Sequence, residues 1–323
     1  MLKKFNRLFL RLGVSILSLA LVYYSVRGEI VEGITHLKNV LVLPVAAALF
    51  INFISLFFVT LRIDKILTVQ HIRLSLSRLY YLWCVSLFFN LFLPSAIGGD
   101  IAKAYYIYKD SGKKMASITS VFIDRFFGLI ATISIASFAF LLGHKHIEDP
   151  RIGQSLFWIG GFAFVGAFFF ISKRFSIKIN AFVLKLSPKH FHEKLRKFFE
   201  ALELYRQNRI DFFMVYFYSL MALAMFVVIV FLLALSIHIQ LPITIFFLFM
   251  PLILVISMVP SIGGLGVREA ATVYLFKPYI AADQAVALAL IFDLFIYGIG
   301  FVCGILYAIR GGASIREMER IEN

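Results

Sequence analysis

The chain is short of the residues from which enzyme and metal sites are usually built. It holds 2 cysteines in 323 residues, Cys84 and Cys303, and both fall inside apolar segments, which excludes a cysteine metal cluster and argues against a disulfide. The 7 histidines are scattered. His144 and His146 stand near Glu148 and Asp149, where an exposed polar loop is a simpler reading than a metal site. There is no Walker loop, no Gly-x-Ser-x-Gly, no His-Glu-x-x-His and no Asp-x-Asp pair. No polar segment is long enough for a catalytic domain. The expectation is a protein that is not an enzyme and uses no cofactor or metal.

Charge is scarce as well, at 15% of residues, whereas 61% are hydrophobic and 37 are Phe. The mean hydropathy of +0.90 excludes a soluble domain of this size. Net charge is +14, but the cations crowd the gaps between apolar runs. That pattern points to an anionic membrane surface and away from nucleic acid. Apolar runs long enough to cross a bilayer lie at 8–26, 39–61, 115–142, 152–171, 211–237 and 281–309. The first follows Lys3, Lys4 and Arg7 like a signal sequence, but no small-residue cleavage site comes after it, so a retained span is expected.

A short motif occurs twice. Pro94-Ser95-Ala96-Ile97-Gly98-Gly99 is followed by Asp100 and Lys103, and Pro260-Ser261-Ile262-Gly263-Gly264 by Gly266, Arg268 and Glu269. In both copies a cation stands four residues after the second Gly. Each copy precedes an apolar segment with a central aspartate, Asp124 beside Arg125 in the first and Asp293 in the second. Chance likeness between Gly-rich turns is the plain alternative, but the matching aspartates favour a duplicated membrane unit.

Charge distribution sets the topology. The N-terminus, the segment 62–78, the lysines Lys103, Lys109, Lys113 and Lys114, and the loop 172–210, with 10 Lys or Arg against 3 Glu, all belong in the cytoplasm. Segment 79–93 must then enter the membrane and return, and segment 241–259 must do so from the other face. The resulting fold is an all-α polytopic membrane protein with about six full spans and two re-entrant helical hairpins in an inverted repeat. Residues 1–323 form one transmembrane domain, with repeats 1–142 and 152–310 and both termini cytoplasmic. Eight plain spans are the alternative. Within 172–210, Ser187 and Pro188 open an amphipathic helix over 187–206, with Phe191, Leu195, Phe198, Phe199 and Leu202 on one face for the inner leaflet.

Charges deep in a bilayer need a partner or a task. Asp124, Arg125 and Asp293 lie at central depth in their spans. Asp100 and Lys103 share a helix face that opens at Gly98 and Gly99; Arg268 and Glu269 begin the matching helix after Gly263, Gly264 and Gly266. Two half-helix N-termini with Lys103, Arg125 and Arg268 suit a phosphate-bearing head group. The same charges could equally pair among themselves, Asp100 with Arg125, and Asp124 or Asp293 with Arg268, and lock the hairpins.

These motifs, from Leu93 to Lys103, Asp124-Arg125, and Pro260 to Glu269, resemble those of the lysylphosphatidylglycerol synthase transmembrane-region family over nearly the whole chain. The resemblance implies a lipid-flippase membrane domain. In the namesake proteins it is joined to a soluble aminoacyl-transferase domain, for which this sequence has no counterpart, so synthase activity is not expected. Relatives without that domain are flippase-like, and some are linked to lipid-linked glycans or hopanoids. The family often carries Arg where this chain has Lys103, which keeps the charge but loses a bidentate fork. The expected function is movement of an anionic or zwitterionic lipid between leaflets of a bacterial or archaeal inner membrane, by the protein alone, as a homodimer, or beside a lipid-modifying enzyme. A membrane enzyme acting on a polyprenyl phosphate, or a non-transporting scaffold, are the alternatives.

Overall fold

The structure, a computed structural model, describes residues 30–92, 98–143, 208–259 and 265–309, with isolated positions between 192 and 204. The described residues are all-α. They form α1 (Ile30–His36), α2 (Val42–Val69), α3 (Leu76–Phe92), α4 (Gly98–Ser111), α5 (Lys114–Gly143), α6 (Arg209–Ser236), α7 (Ile243–Ile256), α8 (Val267–Phe276) and α9 (Ala282–Ile309). The expected spans 8–26 and 152–171, the polar loop of His144 and His146, and Gly263 and Gly264 lie outside the described residues, as does most of 187–206.

Among the described residues four helices, α2, α5, α6 and α9, are long and apolar enough to cross a bilayer, and the chain is a multi-pass membrane protein. Their bounds follow the apolar runs closely, with one exception. Helix α2 does not stop at residue 61 but continues through Arg62 and Lys65 to Val69, so the first part of the expected basic loop is helical. Pro44 is tolerated because it sits in the first turn, where its missing N–H would be unpaired anyway. Phe50, Phe53 and Phe57 on α2 are exposed, as suits side chains that face lipid.

The other helices are short. α4 and α7 have 14 residues each and α8 has 10, or about 21 and 15 Å at 1.5 Å per residue, against a hydrocarbon core of about 30 Å. α3 packs on α4, and α7 on α8. Gly112, at φ 70, makes the turn from α4 into α5.

Packing crosses between the two halves in a reciprocal way. α7 lies on α5, α3 lies on α9, and α2 and α6 run along each other. One core cluster centres on α6 to α9 and takes in Ala48, Ala136 and Ala139; the other centres on α2 to α5 and takes in Val215. On α9, Gly300 and Gly304 form a groove for α3, where an added Cβ would overlap Leu91 and Phe88. Small residues four apart are how membrane helices approach closely. Tyr307 extends the seam: it stacks on Phe88 at 5.7 Å, and its hydroxyl meets that of Tyr106 at 3.1 Å. In the basic segment, Phe199 and Leu204 pack against the second core cluster, so the protein itself, rather than the leaflet, meets the helix at those two positions.

Candidate functional site

The first charged centre is assembled where α4 and α5 meet the C-terminal half of α2. Helix α4 opens at Gly98, and Gly99 approaches α3 so closely that a Cβ would overlap the Ser86 carbonyl. Gly99 is helical, and what requires glycine there is this close approach rather than a positive φ. Its N–H is also not free for a ligand, since it donates to Asn90 Oδ1 at 2.9 Å.

Asp100 follows directly and Lys103 comes one turn on; both are buried and pair with residues of α5. Lys103 Nζ donates to Asp124 Oδ2 at 3.2 Å and lies 4.0 Å from Asp100 Oδ1. Arg62 Nε donates to the other oxygen of Asp124 at 2.7 Å, and Arg62 Nη1 reaches Ser219 Oγ of α6 at 3.5 Å. Arg125 Nε donates to Asp100 Oδ2. Neighbouring residues on one helix thus serve two partners, because successive side chains diverge by about 100°. Among the described residues the centre holds Arg62, Lys103 and Arg125 against Asp100 and Asp124, one positive charge in surplus. Asp100 and Asp124 are almost wholly buried, but 47% of the Arg125 side chain is exposed. Beside Lys103 lies a small pocket walled by Thr60, Ile63, Leu79, Leu82 and Ile107, an apolar lining with one cation in it.

The second centre joins α8 to α9. Gly266, at φ 82, is the residue before α8 and takes a conformation that suits glycine. Arg268 follows at once. Its Nε donates to Asp293 Oδ1 at 2.8 Å, and its Nη2 donates to the same oxygen. The guanidinium lies over Phe292 at 5.3 Å and Tyr297 at 5.8 Å, positions that favour a cation. Glu269 is buried with no hydrogen-bond partner for either carboxylate oxygen among the described residues, and the Tyr297 hydroxyl is buried in the same condition. Among the described residues, one cation stands here against two carboxylates.

The expected internal pairs Asp100–Arg125 and Arg268–Asp293 are therefore formed, and Asp124 pairs with Lys103 and Arg62. Lys103 and Arg125 share no ion-pair partner with Arg268: each centre draws its partners from its own half of the sequence, apart from Ser219. Arg62, Ser219, Asn90 and Tyr297 were not expected. Tyr297 could have been found four residues after Asp293, one helical turn along the same face. Arg62 was hidden because a cation at the end of an apolar run reads as a loop.

No curated protein matches the chain. A family model does match, over residues 8–304, and it describes the lysylphosphatidylglycerol synthase TM region. The match spans most of the chain and takes in all three motifs that carried the resemblance, so the chain belongs to that family.

Proposed function

We infer that the protein is a lipid flippase, which moves an anionic or zwitterionic head group between leaflets of a bacterial or archaeal inner membrane while the acyl tails stay in lipid. The observation that carries this reading is the surplus cation of the first centre. Arg62, Lys103 and Arg125 exceed their carboxylates by one, Arg125 is half-exposed, and an apolar pocket adjoins Lys103. A phosphate is complementary to that surplus positive charge. The short helices α4, α7 and α8 and the reciprocal packing of α3 on α9 and α7 on α5 support two re-entrant hairpins in an inverted repeat. Rocking of one half against the other would open the site to each face in turn, with both termini in the cytoplasm.

The test is head-group reorientation of a labelled phospholipid in proteoliposomes, with the lipids analysed afterwards. Reorientation with no new lipid species is expected. A covalent product would make the protein an enzyme, and an inert protein would make it a scaffold.

A further inference from the structure

The second centre poses a problem that the lipid reading does not solve. Glu269 is 94% buried, since its relative exposure is 6%, and neither carboxylate oxygen meets a donor among the described residues. A buried carboxylate without donors costs several kcal/mol. The neighbouring cation, Arg268, spends its Nε and Nη2 on one oxygen of Asp293. Arg268 ties α8 to Asp293 on the facing α9, so the charge that Glu269 meets across that contact is a second carboxyl. Two facing carboxylates repel unless something positive lies between them.

The elements packed on α8 limit what that can be. Helix α7 carries no ionisable residue, and α9 presents Asp293 and Tyr297. A hard metal cation wants six or more oxygens, and here it would sit beside a guanidinium with two carboxyls and one phenol in reach. A proton needs only the two carboxyls. It turns one of them into the donor that the other lacks, as in carboxyl pairs that share a proton.

We propose that Glu269 and Asp293 form a proton-binding site in the membrane, holding one proton between their carboxyls beside Arg268. With the proton bound, Arg268 and Asp293 form a neutral pair next to a neutral Glu269. On release the proton passes to water, and one guanidinium is left facing two carboxylates. The site stands whether or not the protein moves lipid.

The experiment is infrared difference spectroscopy of the full chain in lipid nanodiscs, titrated from neutral to alkaline pH. Wild type should show a protonated-carboxyl C=O band at neutral pH that shifts in heavy water and is lost on alkalinisation. Isotope-labelled glutamate should shift part of that band, because Glu269 is the only buried glutamate among the described residues. Glu269→Gln, which mimics the protonated side chain, should abolish the titration. Absence of a protonated carboxyl at neutral pH in wild type overturns the proposal, and so does a band that ignores glutamate labelling. Both of those results are read on unmutated protein and do not depend on how the variant folds.

Discussion

The two charged centres start from matching motifs and end with opposite surpluses. In each, a cation four residues beyond a Gly pair meets an aspartate on the following long helix: Lys103 meets Asp124, and Arg268 meets Asp293. Around the first pair the chain adds Arg62 and Arg125 against Asp100; around the second it adds Glu269 and, among the described residues, no further cation. A shared backbone device therefore carries two chemistries. The pair holds the short helix to the long one, and the surrounding residues decide which charge the site attracts.

The largest expected effect breaks the second pair. Arg268→Gln strands Asp293 and Glu269 together and should destabilise the protein by about 3–5 kcal/mol, the cost of removing one partner of a buried ion pair. Thermal unfolding in detergent measures this, and adding Asp293→Asn to the same protein should recover much of the loss. The matching change at the first centre should be milder. Lys103→Gln leaves Asp124 held by Arg62 at 2.7 Å, so about 1.5 kcal/mol is expected, the low end for a hydrogen bond to a charged group. Equal losses would mean that Arg62 does not back up Lys103.

Between these lies Gly99→Ala. Its Cβ would overlap the Ser86 carbonyl and force α3 away from α4, at about 1–3 kcal/mol. The smallest effect is expected at Gly266. There Ala meets backbone strain at φ 82, worth about 1 kcal/mol, the low end for a non-glycine residue in a sparsely populated conformation. The same unfolding assay ranks the two, and a larger loss at Gly266 would reverse the reading of these glycines.

Much of this was legible before the fold was seen, for reasons that can be stated. Long apolar runs mark helices because lipid leaves backbone groups no other partner, and α5, α6 and α9 begin and end within two residues of their expected bounds. The pairs Asp100–Arg125 and Arg268–Asp293 followed from depth, because buried charges must find each other. Hidden features depended on contacts far apart in sequence. Arg62 extends α2 past the end of its apolar run only because Asp124, 62 residues on, receives it. Gly300 and Gly304 look like ordinary residues of a membrane helix until Leu91 and Phe88 are seen against them. That the centres would be separate, and opposite in sign, could not be read from two motifs that look alike.

The central claim is that the first centre, not the second, holds the anionic head group. Binding of phosphatidylglycerol by the purified protein, compared among wild type, Arg62→Gln, Lys103→Gln and Glu269→Gln, tests it most directly. Either first-centre substitution should weaken binding by about 10- to 100-fold, which corresponds to about 1.5–3 kcal/mol for a lost bond to a charged group. Glu269→Gln should bind as wild type does. Unchanged binding in Arg62→Gln and Lys103→Gln, or an equal loss in Glu269→Gln, would contradict the account.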